Sequence, residues 1–279
     1  MKLRFLLGVI LVSMLYASPA GAVAIKIAPL EYRTELGSGA SQRGFVDVSN
    51  PSSQKLTVNI NVQGFRQIDD QGGLQFFPSD QLSAGIVPEL KTVELGPREA
   101  LRLYFTISGP VLPHGDVFAA ILATVPADPT HGIGTSARVA TLLSIVNGSP
   151  GPRQAKITDL RVPLWQLGDR IVANFRLQNP APASASGGFY PTITVRAIGY
   201  FSETVQGPLV FSGRSRSVSF QKAGSYLGLV KIRVAYKDQA TEAYSLVVTG
   251  YWRWVIPLVL VGLAVVLWAS RRLLTRHRR

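Results

Sequence analysis

The 279-residue sequence contains no cysteine, only three histidines and far fewer acidic residues (16) than basic ones (29). Without cysteine, a disulfide scaffold, thiol catalysis and thiolate metal sites are all excluded, so any exported domain must be held by its own apolar core. The histidines are His114, His131 and His277. His114, Asp116 and His131 together offer two imidazoles and a carboxylate, a donor set that suits zinc. Their spacing matches no zinc pattern, and both histidines sit in turn-like sequence (Pro113-His114-Gly115-Asp116 and Asp128-Pro129-Thr130-His131-Gly132). The Gly-x-Ser-x-Gly elbow of a hydrolase is missing, as is a glycine-rich turn between strand and helix. No catalytic, cofactor-binding or metal-binding residue is therefore assigned, no cofactor is expected, and the chain reads as a non-enzyme.

The two ends carry the clearest signals. Lys2 and Arg4 precede an apolar run, Phe5 to Tyr16, followed by Ala17-Ser18-Pro19-Ala20-Gly21-Ala22. That order of basic, apolar and small-residue regions predicts a cleaved signal peptide over residues 1–22. Near the other end, Trp254 to Ser270 is free of charge, long enough with its flanks for a hydrocarbon core ~30 Å thick. A transmembrane helix is predicted over 251–270. Tyr251, Trp252 and Trp254 mark its outer edge and Trp268 its inner one, where amphipathic rings favour the interface. Arg271, Arg272, Arg276, Arg278 and Arg279 follow as a basic tail over 271–279. The positive-inside bias places that tail in the cytoplasm, in contact with anionic lipid, and the body outside, a single-pass membrane protein.

The net charge of +13 is concentrated at these ends. Setting aside Lys2, Arg4 and the five tail arginines leaves 22 basic residues against all 16 acidic ones, an excess of six. Nucleic acid is not an expected partner of such a chain. A mildly basic body favours anionic wall polymers only through a screened attraction. Exported chains without cysteine are common in bacteria, which suggests a bacterial source.

Between the ends, strands alternate with turns. Leu56, Val58, Ile60 and Val62 fall on one face of a strand, with Lys55, Thr57, Asn59 and Asn61 on the other. The same alternation runs through Leu101, Leu103, Phe105 and Ile107; Ile171, Ala173, Phe175 and Leu177; and Val230, Ile232, Val234 and Tyr236. Period-two alternation predicts sheets with one buried face, and the Gly/Pro turns between them predict β-sandwiches. No amphipathic helix is evident in the body. Asn147 to Pro152 is linker material, dividing the body into 23–150 and 151–250. A weak repeat supports the division: Gly44 to Pro51 and Asn174 to Pro180 each run a strand into Asn-Pro. The expected fold class is all-β, two tandem immunoglobulin-like sandwiches followed by one transmembrane helix. Ala181 to Gly188 reads as an exposed small-residue loop. Phe65, Phe76 and Phe77 around the Asp69–Gly73 turn fit core filling better than a sugar-stacking patch. Arg214 and Arg216 fit a solvated strand face as well as an acidic-polymer contact.

In order, Val46-Asp47-Val48-Ser49-Asn50-Pro51, Val93 to Glu99 and Leu112 to Ala120 resemble the N-terminal domain of the bacterial WxL-interacting proteins. That family's pattern is a strand ending in Asn-Pro, a Leu-x-Pro-Gly-Glu turn and a Pro-x-Gly-x-Tyr turn. Arg98 stands where the pattern has Gly, and Phe118 where it has Tyr. The resemblance covers residues 25 to 150, with a looser match in the second domain. It implies a non-enzymatic, membrane-anchored cell-surface protein that binds peptidoglycan or a surface or exported protein partner. Periplasmic pilus chaperones share motifs of this kind. The alternative is therefore a membrane-tethered assembly or chaperone-like factor for exported subunits, which requires an open sheet edge in the first domain. No ligand-binding residue can be assigned by motif.

Overall fold

A computed structural model of the chain describes residues 24–37, 39–127, 136–183 and 187–276. The signal-peptide expectation, His131 and His277 lie outside the described residues. The described residues are mostly strand, with a short helix α1 (Asp80–Gly85) and one long C-terminal helix α2 (Trp252–Arg276). They divide into two compact units. The first comprises 24–64, Phe77–Pro113 and Val117–Asn147, and the second Phe65–Phe76, His114–Asp116 and 148–276.

The first unit has two sheets. One has the order β1-β3-β8-β6, from Lys26–Ala28, Ser41–Ser49, Ala100–Ser108 and Ile86–Pro88. The other runs β2-β10-β9-β4-β5, from Glu31–Leu36, Ala137–Asn147, Gly115–Val125, Leu56–Gln67 and Leu74–Phe77, with β7 (Thr92–Leu95) also paired to β4; Phe65–Gln67 of β4, Leu74–Phe76 of β5 and Gly115–Asp116 of β9 are counted with the second unit. The opening segment changes sheets: β1 pairs antiparallel with β3, and β2 pairs parallel with β10. The alternation read from the sequence decides which residues meet between the layers. Leu56, Val58, Ile60 and Val62 are buried, and Leu103, Phe105 and Ile107 face them from the other sheet in a single core. Each such side chain contributes roughly 1.5–3 kcal/mol by leaving water. Phe105 packs edge-on against Tyr32 with ring centroids 5.4 Å apart. It also lies directly across from Gly44, where a Cβ would sit 2.5 Å from its ring. Only glycine fits that close approach.

The second unit repeats the plan. β11 (Lys156–Arg161) pairs antiparallel with β13 (Arg170–Gln178), and β12 (Trp165–Gly168) pairs parallel with β20 (Gln239–Thr249). Its sheets run β11-β13-β18 and β12-β20-β19-β15-β16, with β18 at Ser215–Ala223, β19 at Leu227–Tyr236, β15 at Thr192–Ala197 and β16 at Phe201–Gln206. A two-stranded ribbon joins β14 (Gly188–Phe189) to β17 (Val210–Phe211). The buried side chains fall into two clusters here, with Leu160 and Phe201 packed against both.

One expectation needs correction. The body does contain a helix: Ser79 caps α1, its hydroxyl accepting from the Leu82 amide at 3.4 Å. Six residues are too few to show helical periodicity in the sequence. The C-terminal helix carries the predicted apolar span and runs on into the basic segment. It continues to Arg276, because Arg271 to Arg276 contains good helix formers and no breaker.

Candidate functional site: an unpaired strand edge

β10 is eleven residues long, but β2 covers only part of its outer edge. The register with β2 begins at Leu142↔Glu31 and runs to Asn147↔Leu36. Just before it, the Leu142 amide donates to the Leu30 carbonyl at 2.9 Å, and the Thr141 hydroxyl donates to the Pro29 carbonyl at 2.7 Å. The chain then departs to the other sheet as β1. Among the described residues, no strand pairs with Ala137–Ala140 on that side.

Strand alternation decides which groups this leaves exposed. Because the Leu142 amide points toward β2, the amides and carbonyls of Ala140 and Arg138, two and four residues earlier, point to the same open side. Ala137, Val139 and Thr141 direct theirs toward β9. The side chains alternate as well: Thr141 is buried, and Ala137 and Val139 are half-buried against the first unit's core. The edge thus offers a row of backbone donors and acceptors beside a partly uncovered apolar stripe. Such an edge is a template for an added strand. Sequence alternation was visible here, but the departure of β1 from the second sheet leaves no sequence signal of its own.

The second unit carries a polar recess of about 340 Å³, lined by Gln71, Asp159, Arg161, Asn174, Arg176, Ser217 and neighbouring residues. Arg176 lies 3.4 Å from Asp70 and 3.9 Å from Asp159, whereas Arg161 has no ion-pair partner among the described residues. The arrangement can accept hydrogen bonds and small anionic groups. The Asp69–Gly73 turn beside it is held by Asp69, whose carboxylate accepts from the Gln71, Gly72 and Gly73 amides at 2.9, 2.7 and 2.7 Å. The Gly73 bond above all keeps that carboxyl below its ordinary pKa.

Asp116 is only 2% exposed and is bound by Arg153, with N–O distances of 2.6 and 3.1 Å. It also accepts from the Gly188 amide at 3.4 Å. This carboxylate is committed to an ion pair, and among the described residues no group of three metal-ligating side chains occurs. Phe65 is buried, with Phe76 and Phe211 around it at 6.3 and 6.0 Å, while Phe77 is partly exposed. Arg214 is exposed and Arg216 half-buried.

α2 is long and apolar enough to cross a membrane over Trp252–Arg271, and no described side chain in that stretch is buried. Tyr251 and Trp252 stack at 4.8 Å, and the Arg253 guanidinium lies 5.2 Å from the Trp254 ring. Trp254 and Trp268 are exposed near its two ends, and Arg271 and Arg272 lie on its last turns.

No protein-family model and no curated protein matches the sequence. Solved structures with similarity include the class 5 fimbriae chaperone CfaA, at 12% identity and a TM-score of 0.41, covering 80% of this chain and 99% of that one. The periplasmic chaperone SfaE matches at 11% and 0.38, covering 80% and 100%. The CupB2 chaperone of Pseudomonas aeruginosa matches at 11% and 0.38, covering 79% and 100%. These identities and TM-scores are too low to transfer function to this chain.

Proposed function

We propose that the chain is a membrane-tethered assembly factor of the chaperone type, which holds an extended segment of an exported protein by strand addition to β10. The observation that carries this reading is the unpaired edge at Ala137–Ala140, with the Arg138 and Ala140 backbone groups turned outward and Ala137 and Val139 half-covered. An incoming strand with alternating apolar residues would satisfy those groups and extend the first core over Val139. Such binding needs no catalytic residue, because its working part is backbone. In this reading both units are immunoglobulin-like, α2 fixes the body outside the membrane, and the arginines at its end stay in the cytoplasm, in contact with anionic lipid.

The test uses the full chain in lipid nanodiscs and a ten-residue peptide of alternating valine and serine. Bound peptide should slow hydrogen exchange at the Arg138 and Ala140 amides. Ala140→Pro removes one outward donor at an edge position, where proline is tolerated. It should abolish binding while leaving the fold intact. Val139→Pro removes a ladder donor facing β9 and should instead destabilise the unit, read as a lowered melting temperature. Equal binding by Ala140→Pro and the parent chain, or protection appearing on another strand, overturns the reading.

A further inference from the structure

The second unit presents an apolar sheet face that its own core does not use. Trp165 and Leu167 on β12 are 68% and 74% exposed, and Leu229 on β19 is 71% exposed. The registers place them in rows. Trp165 pairs with Leu246 and Leu246 with Leu229; Leu167 pairs with Val248 and Val248 with Leu227. Residues paired across a sheet share a face, so these six form one outward patch on three adjacent strands. Tyr244, 57% exposed, continues it one row further, opposite Lys231. The patch is about 10 Å across and about 14 Å along the strands. Scattered exposed apolar residues are ordinary, but contiguous rows with a polar rim mark an interaction surface. Here the rim is Lys231, Arg233 and Glu242, with Lys231 paired to Glu242 at 2.5 Å.

What covers the patch follows from where the chain goes next. Only Thr249, Gly250 and Tyr251 separate Val248 from the start of α2, a reach of at most about 14 Å. Hydrogen bonds hold that junction to the patch strands and their neighbour: the Gly250 amide donates to the Gly168 carbonyl at 2.9 Å, and the Tyr251 amide to the Ser225 hydroxyl at 3.2 Å. Gly250 has φ +64°, and a Cβ there would lie 2.1 Å from the Ser225 hydroxyl, so the turn into the helix is tight. A face this close to the outer end of a membrane span lies at the depth of the lipid headgroups.

We infer that the β12-β20-β19 face rests on the bilayer, with Trp165, Leu167 and Leu229 entering the headgroup–acyl boundary beside Tyr251, Trp252 and Trp254. The inference depends on α2 spanning the membrane. Trp165 and Tyr244 extend the aromatic belt of the helix onto the sheet, and the charged rim stays wet. The second unit is thereby held against the membrane instead of swinging on its tether.

The chain's lack of cysteine permits single-cysteine labelling of the full-length protein. Leu167→Cys, Leu229→Cys, Leu260→Cys in mid-helix and Ser219→Cys on β18 would each carry a fluorophore in vesicles of phosphatidylcholine and phosphatidylglycerol. Nitroxide lipids, labelled near the headgroup or deep in the acyl chain, then report depth. Shallow nitroxides should quench positions 167 and 229 at least about twofold. Deep nitroxides should quench 260, and neither should quench 219. If 260 is quenched while 167 and 229 behave like 219, the helix spans but the face is free, and the inference is overturned. If 260 is not quenched, the span itself fails and the docked face fails with it.

Discussion

Both units bury the asparagine of an Asn-Pro corner, yet they use it with different intensity. Asn50 donates to the Gln54 and Gly96 carbonyls at 2.7 and 2.8 Å, and its oxygen accepts from the Ser52 amide and hydroxyl at 3.0 and 2.6 Å. Asn179 accepts from the Ala181 amide at 3.1 Å and donates to the Val210 carbonyl at 3.4 Å. The main-chain bonds match in kind: the Asn50 amide donates to Glu99 and the Asn179 amide to Arg214, each at 2.9 Å. The parallel strands enter alike too, with Leu142 and Thr141 bonded to Leu30 and Pro29, and Leu246 and Ser245 bonded to Leu164 and Pro163. One plan thus serves two ends. The first unit closes around a single core and leaves a sparsely charged edge on β10. The second divides its core, and the matching edge of β20 carries Glu242 tied to Lys231 and Arg233, a charged edge that discourages strand addition.

The comparison can be broken most forcefully at a buried ion pair that, among the described residues, only the second unit has. Arg153→Ala leaves Asp116 buried without its cation, which should cost about 3–5 kcal/mol by denaturant unfolding. A loss under about 1 kcal/mol would mean that Asp116 finds water or another partner. Next, Asn50→Ala should destabilise the chain by about 3 kcal/mol and Asn179→Ala by about 1 kcal/mol, because more buried groups lose partners at the first corner. Equal losses would remove the claimed asymmetry. Smaller still is Arg98→Gly. Arg98 has φ +58°, a left-handed backbone that costs a side-chain-bearing residue about 1–2 kcal/mol. Glycine, which adopts that backbone without a Cβ clash, should stabilise the chain by about 1 kcal/mol, read as a raised melting temperature.

The smallest effect is a pH response at the Asp69 turn. Its carboxyl lies below the ordinary value chiefly through the Gly73 amide, so the folded group releases its proton more readily than the unfolded one. Its stabilising contribution is present above the unfolded pKa and is lost as pH falls through the folded one. The Gln71, Gly72 and Gly73 amide resonances should therefore titrate together at a pH below the ordinary aspartate value. Titration at or above that value would show that the three bonds do not hold the charged form.

Much of this was legible in the residues. Alternation at Leu56–Val62 and Ile171–Leu177 placed the buried faces, because period two in a half-covered sheet admits little else. The uncharged run after Trp254 implied a long exposed apolar helix for the same reason of composition. The repeated Asn-Pro corners pointed to a repeated unit, and the structure adds the matching hydrogen bonds. Other features had no local signature. α1 is too short to show a period, and the Asp116–Arg153 pair joins residues 37 apart that no motif links.

The sequence by itself determined which side chains avoid water and where a membrane span can lie, since both follow from the spacing of apolar residues along one chain. Only the tertiary structure decided which edges stay unpaired and which apolar faces lack a cover. Those depend on where the opening strand of each unit changes sheets, at Pro29 and Pro163, and on which neighbours the remaining strands then meet. Strand pairing is a long-range choice among backbones that are chemically alike, so the same alternating pattern leaves an open edge at Ala137–Ala140 and an uncovered face at Trp165, Leu167 and Leu229.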